Sequence, residues 1–550
     1  MKKYFNLNAL CLGALIGALA GAAAGFLSQY SPVWIKFSLW AATKAGAIGW
    51  LAGIALSPLL AGLSLRSARL GKIFSALARI KILRGSLLVL ALAPLVLWFL
   101  PTGPKRNAYP PPASPPPNII LISIDALRAD YLGSYGRTAG LTPHLNAFAR
   151  EASKYDSAYA ASSWTLPSFG ALFSGLPPSQ CGLKTPRKEK HDWYVWSARI
   201  DDRLPLLAEA LQQQGYATGA ELANPFFRPA RGIHRGFDFY RNEGAKYEPG
   251  EQLTLAQNLT QNARAWLRQK PASPIFLWVH YLDPHVPYNL PDTAAPERKK
   301  YPKDWTGRRK EWYDEISRQP ESDQAQFQDF AKYMYAREVA YVDKWVGLLL
   351  AEIKRAGLYD NSLIIITADH GEELFDHGQF EHGHALHEEV LRVPLLIKWP
   401  AGTSADKEIN QVVSLVDLGG TILAQAGGSG RPALPMRNAD RGAEVYSEAL
   451  LHVAEQTALT TDKYKIIYYP FAAPGEKEFE VYDRKRDRTE QHDLANTDAA
   501  EAERARLKAL TQKADIASEQ WQQSGDEAFR RIKLTDKDKA RLKSLGYLGD

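Results

Sequence analysis

Acidic residues are missing from the first 117 positions, which carry twelve lysines and arginines instead. The rest of the chain holds 55 basic and 60 acidic residues, so the overall charge of +7 resides in the N-terminal stretch and the main body is mildly acidic. That split removes the nucleic-acid-binding reading that the net charge alone would invite. Cysteine is nearly absent too: Cys11 and Cys181 are the two, which excludes a disulfide scaffold and a cysteine-based zinc module. A mostly disordered chain is excluded because 45% of the 550 residues are hydrophobic and 23% are charged. At about 150 residues per domain, such a length allows three or four domain-sized units.

What the acid-free stretch does have is three long apolar runs, Ala9–Leu27, Gly46–Leu63 and Ser86–Leu100. A bilayer core of ~30 Å takes about 20 helical residues; the first two runs fit directly and the third with its flanks. Residues 1–100 are therefore expected to form a membrane segment with three transmembrane helices. Lys2 and Lys3 precede the first run, and Arg66, Arg69, Lys72, Arg79, Lys81 and Arg84 lie between the second and third, against only Lys36 and Lys44 between the first and second. Basic residues accumulate on the cytoplasmic side, so everything after Leu100 is expected outside. The small residues at Ala22–Gly25 keep open a cleaved signal peptide as the alternative for the first run. Cys11 falls in that run, across the membrane from Cys181, so the two are not expected to pair. Residues 101–117 contain eight prolines and read as a semi-rigid linker.

Beyond the linker, Asn118–Ile124, Ile275–Val279 and Ser362–Ala368 are short apolar, β-branched runs of the kind that form buried parallel strands. Helical patterns such as Ala256–Gln269 and Ala331–Ala356 lie between them, and this alternation implies an α/β sheet. Ligands of such sheets bind beyond the carboxyl ends of the strands. Asp125 follows the first run, His280, Asp283 and His285 the second, and Asp369 and His370 the third. Pro167 suits the first turn of a helix that would start at Thr165, where free N–H groups favour an anion and a hydroxyl could serve as nucleophile. Seven of the twelve histidines lie between 280 and 387, and three or four of these are expected at one site.

The residues from 118 to the C-terminus resemble the sulfatase family of the alkaline phosphatase superfamily. The resemblance rests on IDALRADYLGSYG (124–136), TPHLN (142–146), SWTLPSFGALFSGL (163–176), GFDFY (236–240), FLWVHYLDPHVPY (276–288), TADHGEELFDHG (367–378) and HGHALHEEVLRVPLLIKWP (382–400). FEVYDRKRDRTEQHDLA (479–495) and LKSLGYLGD (542–550) match as well. It implies a central mixed sheet flanked by helices as the catalytic domain (118–430) and a smaller α+β subdomain (431–550). In that subdomain 444–450, 464–469 and 478–482 read as strands and 498–523 as a helix.

Departures from the family pattern bear on mechanism. Usual sulfatases oxidise a Cys or Ser in a C/S-x-P-x-R motif to formylglycine; here the stretch is Thr165-Leu166-Pro167-Ser168-Phe169, so no formylglycine is expected. The acid paired with the first metal Asp is replaced by Ala126, no Lys-x-His segment is found around ELANPFFR (221–228), and the second metal pair is Asp369-His370. These features resemble the membrane-tethered phosphoethanolamine and phosphoglycerol transferases, which use a metal-activated Thr. The resemblance implies one divalent ion held by Asp125, Asp369 and His370. Two hard oxygens and an imidazole favour zinc or manganese over calcium. Thr165 is the expected nucleophile. His285 and His382 are expected on the substrate oxygens or the leaving group, with His280 and His384 as further substrate contacts. The chain is thus expected to be a membrane-anchored hydrolase or transferase of sulfate or phosphate esters, with the catalytic domain outside a bacterial inner membrane. An anionic ester of a lipid head group, glycan or envelope polymer would be its substrate. The alternative is a catalytically idle relative that binds anionic polymers or lipid head groups.

Overall fold

The computed structural model describes residues 115–523 apart from 137–139, 184–197, 243–254, 272–273, 289, 291–293, 309–310, 429–433, 437–443, 450–454 and 499. The three apolar N-terminal runs lie outside these residues; among the described residues no helix is long and apolar enough to cross a membrane.

The sequence NIILISI forms β1 (Asn118–Ile124), every residue of it buried. β-Branched side chains on both faces suit a strand covered on both sides. Around it are β2 (Ser153–Tyr159), β3 (Ala217–Leu222), β4 (Phe239–Asn242), β5 (Ile275–Tyr281), β6 (Ser362–Ala368), β9 (Arg392–Lys398) and β10 (Glu408–Ser414), in the order β10-β2-β9-β6-β1-β5-β3-β4. Strand β9 runs antiparallel to both its neighbours, β2 and β6, and the other pairings are parallel, so the sheet is mixed as expected. The helices include α1 (Pro143–Glu151), α2 (Thr165–Ser174), α3 (Leu207–Gln213), α4 (Leu255–Arg268) and α5 (Glu321–Arg355). Helix α5 starts ten residues before the expected Ala331, because Phe327 and Phe330 in its polar first turns already reach the core. Strand β5 continues two residues past the expected end, which places His280 inside the strand rather than after it. A two-stranded ribbon of β7 (Glu373–Leu374) and β8 (Phe380–Glu381) follows β6, then α6 (Glu388–Leu391).

The smaller subdomain is an antiparallel sheet in the order β11 (Glu444–Ala449), β12 (Gln456–Thr461), β13 (Tyr464–Tyr468), β14 (Phe479–Asp483). After α7 (Leu418–Gln425) in the large domain, the last helix among the described residues is α8 (Glu501–Gln523), whose Leu507 joins Leu459, Ile466 and Val481 in a separate small core. Strand β11 is bonded to the segment just ahead of α2: Ser162 Oγ donates to the Glu448 carbonyl (2.6 Å) and Ser447 Oγ to the Ala160 carbonyl (2.7 Å). The subdomain thus props the entrance to the helix that carries Thr165.

Candidate active site at the strand ends

Four adjacent strands, β6, β1, β5 and β3, deliver polar residues to one point at their carboxyl ends. Asp125 follows β1, and its backbone N–H donates to the Tyr281 carbonyl (2.8 Å). Asp369 and His370 follow β6. His280, near the end of β5, puts Nε2 3.1 Å from Asp125 Oδ2. An ionised carboxylate only accepts, so Nε2 carries the proton and Nδ1 accepts from Ser123 Oγ (2.9 Å), which itself accepts from Trp278 Nε1 (2.9 Å). His280 is fully buried behind Asp125. In this position it is the post that holds the first carboxylate.

Helix α2 begins at Thr165, as the Pro167 signal predicts, and all ten of its residues are buried. Thr165 Oγ1 lies 3.4 Å from Asp125 Oδ2 and 3.4 Å from His370 Nε2. Asn224, two residues past β3, completes the cage. Its Oδ1 accepts from the Phe226 backbone N–H (2.8 Å), which turns Nδ2 inward to donate to Asp125 Oδ2 (2.6 Å) and Thr165 Oγ1 (3.4 Å). Sequence reasoning missed Asn224, and no charge or ligand spacing in the sequence marks it. Phe169 stands where the usual motif has Arg, and its ring meets the edges of His280 (5.1 Å) and Phe227 (5.1 Å) and tilts against Trp278 (4.9 Å). An aromatic box has replaced the charge.

The protonation pattern shows what the centre is built to hold. His370 Nδ1 donates to the Gly371 carbonyl (2.8 Å), so in the neutral ring the Nε2 lone pair points into the site. It faces Asp125 Oδ1 and Asp369 Oδ2, each 3.5 Å away. Both oxygens are buried without a hydrogen-bond partner. Burial and the neighbouring Asp125 push Asp369 up to about 6. Burial acts the same way on Asp125, but the His280 hydrogen bond and the nearby imidazoles outweigh it and hold this carboxylate below the usual range. Three acceptor atoms within 4.8 Å of one another, with no proton to share, fit a divalent cation, and the oxygen–nitrogen donor set is one that zinc or manganese accepts.

Of the other histidines, His285 and His382 gather at this centre. Their rings are 4.8 Å apart, and His382 lies 4.3 Å from the ring of His370. Burial lowers the pKa of His285, and its Nδ1 donates to the Val286 carbonyl. His382 Nδ1 donates to Glu372 Oε1 (2.9 Å). His384 instead places Nε2 3.0 Å from Glu373 Oε2 and Nδ1 3.3 Å from the His382 carbonyl, a bracing position beside the site. His377 and His387 form a separate cluster with Glu389.

A mixed α/β sheet with a carboxylate–imidazole group and a helix-start hydroxyl at its strand ends is the architecture of the alkaline phosphatase superfamily. Within it, this chain belongs to the sulfatase family: the Sulfatase family model matches residues 117–429, and the model of the N-sulphoglucosamine sulphohydrolase C-terminal region matches residues 375–516. Human N-sulphoglucosamine sulphohydrolase is 27% identical over 303 residues, which cover 53% of this chain and 57% of that protein, so the match spans little more than half the relative's length. The phosphonate monoester hydrolase of Agrobacterium radiobacter shares the fold with a TM-score of 0.55 at 18% identity, covering 73% of this chain and 96% of its own. A protein solved in complex with its substrate D-glucosamine-2-N,6-O-disulfate gives 0.56 at 18% identity, covering 75% and 99%.

Proposed function

We propose that the protein is a membrane-anchored ester hydrolase or transferase that works outside the bacterial inner membrane, taking sulfate or phosphate esters through a covalent Thr165 intermediate. The observation that carries this reading is the position of Thr165 Oγ1, 3.4 Å from both Asp125 Oδ2 and His370 Nε2 at the start of a buried helix. Asp125, Asp369 and His370 would hold a divalent ion, which when bound lowers the pKa of a hydroxyl and offsets charge on an ester oxygen. Asn224 orients the hydroxyl, His280 fixes Asp125, and the N-terminal N–H groups of α2 favour the anionic group that Thr165 attacks. His285 and His382 are left to contact the substrate oxygens and the leaving group. A threonine cannot yield formylglycine, so in this reading a covalent phosphate or sulfate ester of its hydroxyl takes the place of hydrate chemistry.

Two relatives bear on the substrate. One is named for sulphoglucosamine and one for phosphonate monoesters, both anionic esters or amides at a tetrahedral centre. The Asp369-His370 pair and Thr165 favour the phosphorus side for this chain, with a lipid head group, glycan or envelope polymer as the natural donor. The test is turnover of aryl sulfate, aryl phosphate and aryl phosphodiester by the full chain with added zinc or manganese, beside Thr165→Ala. Turnover lost in the variant and a phosphate or sulfate mass increment on Thr165 support the reading. Undiminished turnover in Thr165→Ala refutes it, and bound metal with no turnover of any ester returns the idle relative.

A further inference from the structure

Arg231 carries a charge that the acids around it do not balance. It is 2% exposed and lies in the segment that leaves β3. Two short turns, Pro225–Phe227 and Pro229–Arg231, bring it there, each opened by a proline that fixes φ. Its Nη1 donates to the Ala198 carbonyl (2.7 Å), and its Nε is buried with no hydrogen-bond partner. Burial, with repulsion from Arg228, pushes its pKa down to about 9, so the group is still charged at neutral pH. Among the described residues no carboxylate comes within ion-pair distance of it. The acids of this layer go elsewhere. Asp202 takes Arg199 (2.6 Å), Asp201 takes Arg203 (2.7 Å) and Glu209 takes Arg235 (3.5 Å), and all three arginines are more exposed than Arg231. A buried charge without a counter-ion is costly, so the arrangement calls for an anion from outside the fold. Its surroundings put that anion beside the reacting centre. The guanidinium lies over the ring of Phe226 (5.3 Å), Phe226 meets the edge of Trp164 (5.3 Å), and Trp164 directly precedes Thr165. Residues 224–231 therefore carry a donor to the Thr165 hydroxyl at one end and an unbalanced cation at the other.

We propose that Arg231 is an anion-binding residue that takes an oxyanion next to the Thr165 helix. Its planar fork suits a phosphate, a sulfate or a carboxylate, each of which accepts two parallel N–H bonds. Two sources share this chemistry: a second acidic group on the substrate, and a free inorganic anion. The first source rests on the Thr165 reading above and narrows it, because the substrate then carries an anionic group beyond the ester that reacts. The anion site itself does not depend on that reading. It involves binding alone, with no bond made or broken.

Inorganic sulfate is the probe. Calorimetry follows its titration, at constant ionic strength, into the full chain bearing Asp369→Asn, a change expected to empty the strand-end ion site. Saturable binding is expected, and adding Arg231→Gln should weaken it at least about tenfold, the effect of losing hydrogen bonds to a charged group. No saturable binding, or equal binding with and without Arg231→Gln, overturns the proposal. Arg231→Lys keeps the charge and loses the fork, so its affinity should fall between the two. Should Arg231→Gln fail to fold, sulfate bound by Arg231→Lys as tightly as by the parent overturns the proposal instead. Kinetics of the manganese-loaded wild type and Arg231→Gln then separate the sources, using phenyl phosphate and analogues that bear a carboxylate on linkers of growing length. A KM raised only for a carboxylate-bearing ester assigns the anion to the substrate. Unchanged KM values throughout, with sulfate binding lost, assign it to a free anion. Undiminished turnover in Thr165→Ala would sink the ester reading and the substrate source with it, while the sulfate titration would still decide the role of Arg231.

Discussion

Two clusters in this molecule have nearly the same ingredients and opposite construction. At the strand ends, Asp125, Asp369 and His370 come together; beside the C-terminal sheet, His377, His387 and Glu389 do. In each, the second nitrogen of a histidine is anchored to an acceptor: His370 Nδ1 to the Gly371 carbonyl, His377 Nε2 to the Glu490 carbonyl (3.0 Å) and His387 Nε2 to Glu480 Oε2 (2.8 Å). The spacing of the inward atoms differs. His370 Nε2 stands 3.5 Å from each carboxylate oxygen, too long for a hydrogen bond, whereas His377 Nδ1 is 2.8 Å from Glu389 Oε1, which leaves room for a proton and nothing larger. The His377 and His387 rings are stacked at 3.8 Å and 10°, and both His377 nitrogens face acceptors, which leaves that ring no lone pair for an ion. The first cluster is shaped around an ion of roughly 2 Å bonds. The second is an imidazolium–carboxylate clip that ties the α6 region to Glu480 and Glu490 of the smaller subdomain.

The largest effect that would break this contrast is on metal content. Asp369→Asn is expected to abolish stoichiometric binding of zinc or manganese and to cut turnover by at least about 10³-fold, the several kcal/mol that an ion supplies to a developing charge. Glu389→Gln should leave the metal stoichiometry unchanged. Elemental analysis of both variants checks the pair of statements, and loss of one equivalent in Glu389→Gln would show the second cluster to be an ion site after all. The affinity of the first cluster should climb as pH is raised through about 6, because Asp369 must lose its proton to bind.

How much of this was legible beforehand follows from where each residue sits. Strands β1, β5 and β6 announce themselves as unbroken apolar, β-branched runs, and Asp125, Asp369 and His370 stand out because each directly follows one. Thr165 is legible through Pro167, which fixes the start of a helix. Strand β12 (QTALTT) is not, since its threonines carry no apolar run and it is made a strand by β11 and β13 on either side. Asn224 is invisible for a different reason: a neutral amide in a loop has no charge or metal-ligand spacing to mark it. The crowd of histidines misleads in part. His280, His285, His370 and His382 reach the centre, while His377, His384 and His387 pair with Glu389, Glu373 and Glu480, and no local pattern tells which glutamate each ring will meet.

A smaller effect is expected on stability, and its pH dependence has the opposite sign to metal binding. Burial alone would lower the pKa of His377, but Glu389 overrides it and raises the ring from 6.5 to about 9. A group whose folded pKa is raised stabilises fully below its unfolded value and loses that contribution as pH climbs through the folded one. His377→Gln should therefore lose ~3 kcal/mol of unfolding free energy at pH 6, shrinking toward zero above pH ~9.5. Denaturant unfolding at the two pH values checks it. A loss that does not vary with pH would mean that packing against His387, not charge, is what His377 contributes.

The finest discrimination lies in Asn224. Its Nδ2 shares two hydrogens between the Asp125 carboxylate and the Thr165 hydroxyl, at 2.6 and 3.4 Å. A residue behind a metal ligand typically alters metal affinity or activity by about 10- to 100-fold, and Asn224→Ala should fall in that range. Asn224→Asp should do worse, since it sets a second negative charge against Asp125 where a donor stood. The order matters more than the size. If the aspartate variant binds the ion more tightly than the alanine one, the added carboxylate has become a fourth ligand, and the first cluster was short of donors. If it binds more weakly, Asn224 is present to donate hydrogens, and the strand-end site already holds its full complement of protein ligands.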